Sequence, residues 1–496
     1  MPAQNLNIAI VGGGSAGWIT ALFCKKIFPT FNITLIESKD IGIVGVGEAT
    51  TPNIVSLFKE LKIDIFELLV ECNGSIKNGI SFENWNGDGK RYFHSFAENI
   101  SSFRLNNIFE YNCFDYYLKK LINKNLLLEK YVYTSNLAYN NKVDPEYTSV
   151  ALHFDASLLA NYLKKIAKKR YVKHIEQDVR DFKTTERGTI NQIVLNNGKL
   201  VNCDFVFDCS GFHRLIVGKF FNEKWISYSK HLPMKKAIPF WLDSEDVIQP
   251  YTSAISMKCG WMWKIPLQHR IGSGYIFDSD YINVDQALDE AQQYYKRDLD
   301  IRKIIPFEAG RFENLWVKNV MAIGLSSSFI EPLESTSLFL TIAQLYTFKH
   351  FVNEIKSLEE KSVGMFNTLV KKNMEEVLGF VYLHYVTKRN DSEFWKSFKE
   401  KYPPPEKIAE LLEIFKSNNL RFYNLSQDST ALFPLSSYLQ VARGLELLEN
   451  CNIFKQDEIY PSIEDYKALL DFKVKNAVDV NTFIERKTWL AFQNKT

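Results

Sequence analysis

The segment NLNIAIVGGGSAGW, residues 5–18, constrains the fold of this chain more than any other feature. The apolar run up to Val11 predicts a strand from Asn5, buried on both faces in a parallel sheet. Gly12, Gly14 and Gly17 then form GxGxxG at a strand-to-helix turn, and the helix runs to about Phe28, where Pro29 stops it. Asn32 to Glu37 reads as a second strand, which completes a βαβ unit. In such a turn the first glycine permits a sharp reversal and the second lets the backbone approach a pyrophosphate. The third lets the helix pack on the strand. Ser15 and Ala16 open the helix, whose free N–H groups and dipole favour an anion. Glu37 ends the second strand, where a carboxylate can accept from ribose hydroxyls. Strand, turn, helix, strand and acid in this order predict dinucleotide binding. The motif alone leaves FAD and NAD both open.

Bulk properties exclude several other classes. The formal net charge is +2 and no basic block or stripe stands out, which argues against nucleic acid as a partner. No apolar run is long enough for a membrane span. MPAQNLN leads straight into the first strand and leaves no room for a secretory signal. The seven cysteines form no CxxC pair, so the reading is a reduced cytoplasmic protein with no metal site.

Along the chain, residues 80–138 are rich in aromatics and short turns. Asp155 to Lys169 reads as an amphipathic helix with an aspartate at its start. Asn191 to Asp208 contains a hairpin with NNGK as its turn and ends in FVFDCSG, a strand running into a glycine. Residues 235–310 alternate apolar strands with turns. Residues 319–324 form another buried strand, followed by a helix from about Ser335 to Lys356. Residues 365–496 are mostly helical by periodicity, broken at KYPPPEK, 401–407.

Several segments together resemble the flavin-dependent halogenases typified by tryptophan halogenases. They are GGGSAGW (12–18), VGVGEATTP (44–52), HFDA (153–156), DCSGF (208–212), GWMWKIP (260–266) and EPLEST (331–336). GWMWKIP follows that family's WxWxIP through Trp261, Trp263, Ile265 and Pro266. SIKNGISFENW resembles the segment around the family's active-site lysine, here Lys77. The matches span residues 8 to about 345 and thin beyond 365, where no tyrosine- and glutamate-bearing segment for the amino-acid end of free tryptophan is found. A lone lysine is ordinarily a solvated charge and a pair of tryptophans ordinarily core. Their order behind a nucleotide fingerprint is what favours the functional reading.

The resemblance implies an α/β (α+β) fold: a Rossmann-type FAD-binding domain with an interleaved substrate-side β-sheet and a C-terminal, mainly helical subdomain. The boundaries read as 1–360 and 361–496. It implies FAD contacts from Gly12, Gly14, Ser15, Ala16, Gly17, Glu37, Val46, Gly47, Ala49, Val179, Asp208, Gly324 and Leu325. It implies Lys77 and Glu334 as catalytic, Thr336 and Ser337 at the halide, and His94, Phe96, Trp261 and Trp263 around the substrate. The family usually has glycine where Ser337 stands, which opens the choice of halide. Glu334 with Ser335 and Thr336 can equally be read as the charged, capped start of a helix.

The activity implied is FADH2- and O2-dependent halogenation of an electron-rich aromatic small molecule, indole- or phenol-like. It would proceed through a flavin hydroperoxide and hypohalous acid delivered to Lys77. The lysine can polarise that acid as an ammonium or carry the halogen as an amine, and both stay open. The reduced flavin would come from a separate flavin reductase; neither nucleic acid nor membrane is a partner, and the oligomeric state is open. An aromatic monooxygenase and a non-catalytic flavin-binding protein are the alternatives.

Overall fold

The computed structural model describes residues 5–39, 48–96, 113–144, 150–416, 431–448 and 462–485. Val46 and Gly47 lie outside the described residues.

The first βαβ unit is present as read. Strand Asn7–Val11 leads through the glycine turn into helix Ser15–Ile27 and then strand Asn32–Glu37. These strands belong to a six-stranded sheet in the order Trp316–Val317, Val320–Ala322, Phe205–Asp208, Asn7–Val11, Asn32–Glu37, Lys173–Glu176. It is parallel except for its first edge pair. Its central strand shows why the run is continuously apolar. Ile8 and Ile10 enter one core with Trp18, Ile19 and Leu22 of the crossover helix, while Ala9 and Val11 enter a second core on the opposite face. A strand covered on both faces has no solvent side to carry polar residues.

A second sheet of seven strands runs in the order Ile305–Pro306, Lys236–Leu242, Ile271–Phe277, Gly260–Pro266, Thr252–Met257, Gly79–Glu83, Arg91–Ser95. Its pairings are antiparallel except between Thr252–Met257 and Gly79–Glu83. The two-residue alternation of Gly260–Pro266 sends Trp261, Trp263 and Ile265 into the main core and Met262 into a separate one behind the sheet. That rear core is closed by Ala287 and Ala291 of helix Val284–Tyr295. This helix lies in the stretch read as strands and turns. Its capping box, with Asn283 and Gln286 each bonding the other's backbone, was a legible start signal.

A small antiparallel sheet joins the two large ones. Its strands are Glu48–Ala49, Ala151–Phe154 and Ser75–Lys77. The last runs through Asn78 directly into Gly79–Glu83 of the seven-stranded sheet, so Lys77 stands at the seam. The hairpin read around NNGK is Ile190–Leu195 paired with Leu200–Asn202. The helix read from Ser335 to Lys356 is instead Thr336–Lys349, followed by a separate turn, Glu354–Ser357.

Among the described C-terminal residues, Glu360–Leu383 is the longest helix, and Glu393–Lys401 and Glu406–Lys416 flank the triple proline. Helix Leu435–Gly444 docks on Arg91–Ser95. There Gln440 Oε1 accepts from Ser95 N at 3.1 Å and Ser95 Oγ at 2.7 Å. A Cβ on Gly444 would lie 2.2 Å from the Tyr92 ring, so glycine permits the approach. No described helix is long and apolar enough to cross a membrane.

Candidate active site

The glycine turn does what its residue types require. Gly12 has φ +120°, and a Cβ there would lie 2.1 Å from the Cys209 carbonyl oxygen. A Cβ on Gly17 would lie 2.0 Å from the Gly12 carbonyl oxygen. Gly14 differs: beyond its chain neighbours no atom of the described residues comes within 4 Å of its Cβ position, so it faces space open among them at the start of helix Ser15–Ile27. That helix start has no side-chain cap and no acid in its first turn. Uncapped N–H groups facing open space fit the pyrophosphate of a dinucleotide. Gly324, at φ +69°, closes on the same turn, its Cβ position 2.9 Å from Ala16 Cβ, and Leu325 follows it in a short 3-10 turn.

Three further expected cofactor residues stand among protein partners of their own. Asp208 spends its carboxylate on the protein: Oδ1 accepts from Ser210 N and Oγ, and Oδ2 from Ile216 N and Val217 N. It shapes the 208–217 loop rather than offering a free acceptor. Glu37 is already paired, its Oε1 lying 2.7 Å from both Lys164 Nζ and His174 Nε2. Glu37, His174 and Glu176 have the spacing of a metal site, but Lys164 Nζ also contacts Glu176 at 2.8 Å and supplies the cation itself. Val179 sits in an antiparallel sheet beside the nucleotide sheet, packed against the core of Ala9 and Val11. Ala49 lies in the small sheet opposite His153.

The other predicted residues converge. Lys77 is fully buried, and its Nζ donates to the Thr50 carbonyl at 2.9 Å and to Ser335 Oγ at 2.6 Å. The same Nζ stands 5.1 Å from the centre of the Phe96 ring. Burial pushes the amine down to about 7, while Glu334 nearby pulls it back up. Behind Lys77, Ser75 Oγ donates to the Pro266 carbonyl at 2.7 Å, so it can only accept from His153 Nδ1 at 2.9 Å. His153 Nε2 then accepts from Thr252 Oγ1 at 2.9 Å. Burial, and the charge of Lys77 after it, keep this ring neutral. One histidine thus ties the lysine strand to the start of strand Thr252–Met257, while Ser75 itself reaches the end of the tryptophan strand at Pro266, which gives HFDA a structural meaning.

Glu334 ends the 3-10 turn Pro332–Glu334, with 1% of its surface exposed. His94 Nδ1 lies 2.9 Å from each of its oxygens. His384 Nε2 approaches Oε1 at 2.7 Å, too oblique for a straight hydrogen bond. Burial alone would raise this carboxyl, but the two imidazoles outweigh it and hold it at about 2. Glu331, three residues earlier, accepts from Trp261 Nε1 at 2.8 Å and Tyr385 OH at 2.6 Å. It lacks a cationic neighbour, and burial pushes it up to about 7.

Ser335 takes the left-handed conformation, φ +59°, which turns its hydroxyl toward Lys77 and leaves helix Thr336–Lys349 without a side-chain cap. Thr336 opens that helix with its Oγ1 buried and unpartnered, and Ser337 stands half-buried beside it. The rings of Trp261 and Trp263 meet edge to face, 6.4 Å apart. Trp263 lies over Gly274, whose Cβ position is 2.1 Å from that ring. His94 Nε2, Trp263 Nε1, Thr336 Oγ1 and Glu331 Oε1 are buried without partners. Buried polar atoms are seldom left without a partner, and these four, unpartnered among the described residues, are groups whose bonding a ligand can complete.

Ser335, Glu331, His384 and Tyr385 were not singled out from sequence. Glu331 and Ser335 lay inside a motif already noted, whereas His384 and Tyr385 lie in the stretch where resemblance had thinned. Comparison extends it. The tryptophan halogenase family model matches residues 7–452, well past 365. The chain is 33% identical over 490 residues to tryptophan 7-halogenase RebH of Lentzea aerocolonigenes, covering 89% of each chain. Its fold matches the structure of Xcc4156, a flavin-dependent halogenase from Xanthomonas campestris (TM-score 0.85, 25% identity, 97% of this chain and 98% of that one). BrvH, a flavin-dependent halogenase from Brevundimonas sp. BAL3, matches at TM-score 0.82 and 26% identity over 98% of this chain and 99% of that one. A nucleotide turn, a buried lysine at the seam of two sheets and a paired tryptophan strand thus occur together in a chain that belongs to the tryptophan halogenase family of flavin-dependent enzymes.

Proposed function

We propose that this protein halogenates an electron-rich aromatic substrate at Lys77, with FAD held at residues 12–17 and 324–325 and supplied reduced by a separate reductase. The observation that carries the reading is the state of Lys77: a fully buried amine, held by one carbonyl and one hydroxyl, beside an aromatic ring. When bound, the reduced flavin supplies the oxidation of halide by O2. The uncapped start of helix Thr336–Lys349 offers Thr336 and Ser337 N–H groups to the halide. Lys77 receives the oxidised halogen, and its lowered basicity leaves the amine available near neutral pH. His94 and Phe96 hold the substrate ring, backed by Phe380 at 5.4 Å from the His94 ring. Glu334, kept ionised, accepts the proton that the ring loses.

The test is incubation with FAD, a flavin reductase, O2 and either bromide or chloride, using tryptophan, indole and simple phenols. The expected result is a product with the halogen's isotope pattern for at least one ring. Oxygenated product alone, the same with and without halide, would identify a monooxygenase instead.

Trp261 and Trp263 are assigned to the wall that keeps substrate from the flavin and the oxidant from escaping. Replacing both with alanine would also open a large cavity, at about 3–5 kcal/mol for each ring. Phenylalanine at both positions keeps most of the volume but removes the Trp261 donor to Glu331. Less halogenated product, with more peroxide and oxygenated product per flavin consumed, is expected. Halogenation intact with no oxygenated side product rules the wall out.

A further inference from the structure

We propose that His384 is a positioning residue for halogenation, which turns and fixes the Glu334 carboxylate so that it can take the proton leaving the substrate ring; this rests on the function proposed above. Lys77 does not perform this task. Its ammonium or amine is spent on Thr50 and Ser335, so the carboxylate is held by the two imidazoles instead.

The geometry gives His384 little freedom. It caps helix Glu360–Leu383 and is fully buried. Its ring stacks on Phe82 at 4.4 Å and 15° and meets Phe380 edge-on at 5.5 Å. Nδ1 lies 3.1 Å from Tyr92 OH. Burial, and after it Glu334, push the phenol's ionisation upward, so Tyr92 keeps a proton that it can donate to Nδ1. The ionised Glu334 carboxylate facing Nε2 can only accept, which places the imidazole proton on Nε2 and leaves Nδ1 to accept from Tyr92 OH. Burial lowers the basicity of His384, against the opposing pull of Glu334. An N–H dipole 2.7 Å from Oε1, oblique though it is, orients the carboxylate without transferring a proton to it.

The chemistry balances without a further reactant. The ring's electron pair forms the carbon–halogen bond while the halogen's bond to the hypohalous oxygen, or to the Lys77 amine nitrogen, breaks. The pair of the broken bond stays on that oxygen, which leaves as water with a proton from Lys77, or on the nitrogen, which is left as the amine. The C–H bond at that carbon then breaks, its pair restores aromaticity, and the proton moves to a Glu334 oxygen. Ordinarily this second step is fast. A carboxylate that has swung away makes it slow, and the cost of about an ångström of misplacement is on the order of 100-fold.

The experiment compares protiated with ring-deuterated tryptophan and indole, in the presence of bromide, for the holoenzyme and two variants. His384→Phe keeps the ring and its stack on Phe82 but lacks both nitrogens. His384→Gln restores an N–H donor. The native enzyme should brominate both isotopologues at the same rate. His384→Phe should lose about 100-fold in kcat with KM unchanged, and should acquire a primary isotope effect that His384→Gln largely removes. A fall in kcat without an isotope effect would assign His384 a purely structural role and overturn the inference, as would a native rate. Should His384→Phe not fold, Tyr92→Phe, which releases the donor to Nδ1, must show the isotope effect, and its absence overturns the inference equally. Lys77→Met separates the two layers. If that variant still brominates, or the native enzyme brominates neither probe, the underlying reading fails. If it is dead while His384→Phe behaves as native, only the role of His384 fails.

Discussion

Lys77→Met is expected to abolish halogenation and, at neutral pH and below, to leave the protein more stable than the native form. Both effects follow from the same burial. The Lys77 amine is fully buried and falls from 10.5 to about 7. Its folded value lies below its unfolded one, so the unfolded chain binds more protons between those limits and stability rises with pH across that window. Below about 7 the folded protein carries the full penalty of a buried charge. A shift of this size corresponds to roughly 4–5 kcal/mol at about 1.4 kcal/mol per pH unit.

Methionine matches the lysine stem in length and removes that penalty. Against it stand the Thr50 carbonyl and the Ser335 hydroxyl, which lose their donor at roughly 1–3 kcal/mol each. The opposing terms are similar in size, with burial of the charge the larger. A gain on the order of 1 kcal/mol is expected at pH 6, shrinking toward zero and reversing as pH approaches 10. Chemical denaturation at several pH values, alongside bromination assays, measures both. A variant less stable than native at pH 6 would mean that the amine is better compensated than its burial indicates. Retained bromination would remove Lys77 from the chemistry. A residue that costs stability where it stands, yet is surrounded by the other site groups, is the pattern expected of a functional group.

How far such a site can be read from sequence depends on how local its signal is. The nucleotide unit was legible because its glycines, strand and helix are neighbours in sequence and each obeys a local steric rule. Trp261 and Trp263 were legible because a two-residue period puts both on one face of one strand. Their motif carries its own geometry. Lys77 and Glu334 were legible as motif members, but their environment was not. That Lys77 bonds to Ser335, and not to the glutamate beside it, depends on the left-handed turn at Ser335. His384 and Tyr385 approach residues 334 and 331 from fifty or more positions away, at the end of an unremarkable helix. No periodicity announces such a contact. Asp208 and Glu37 show the converse: each is an acid where a nucleotide motif expects one, yet each finds its partners inside the protein. Residue type and spacing predicted where these groups stand, and only packing revealed what they were bonded to.

Gly14→Val is expected to weaken flavin binding at least 100-fold, about 2.7 kcal/mol or more, while the chain still folds. The three glycines of the fingerprint carry different loads, and this substitution separates them. At Gly12 and Gly17 a side chain would lie within 2.1 Å of backbone oxygens of the protein, so substitution there damages the fold and says nothing specific about a ligand. Gly14 adopts φ −75° and ψ −177°, a conformation open to any residue, and beyond its chain neighbours its Cβ position has no atom of the described residues within 4 Å. Valine is a poor residue at the first position before a helix, which costs stability about 1 kcal/mol at most relative to glycine. Its branched side chain would instead fill the space in front of the uncapped N–H groups of helix Ser15–Ile27, where a pyrophosphate must come close to be bound. Titration of FAD by fluorescence, paired with a melting curve, distinguishes the outcomes. Unchanged affinity in a folded Gly14→Val protein would place the phosphates elsewhere. A collapse of the fold would show that the open space at Gly14 is closed by the protein in solution. Lost binding with the melting curve nearly unmoved would establish that this one glycine is kept for the ligand, while its two neighbours in the motif are kept for the chain itself.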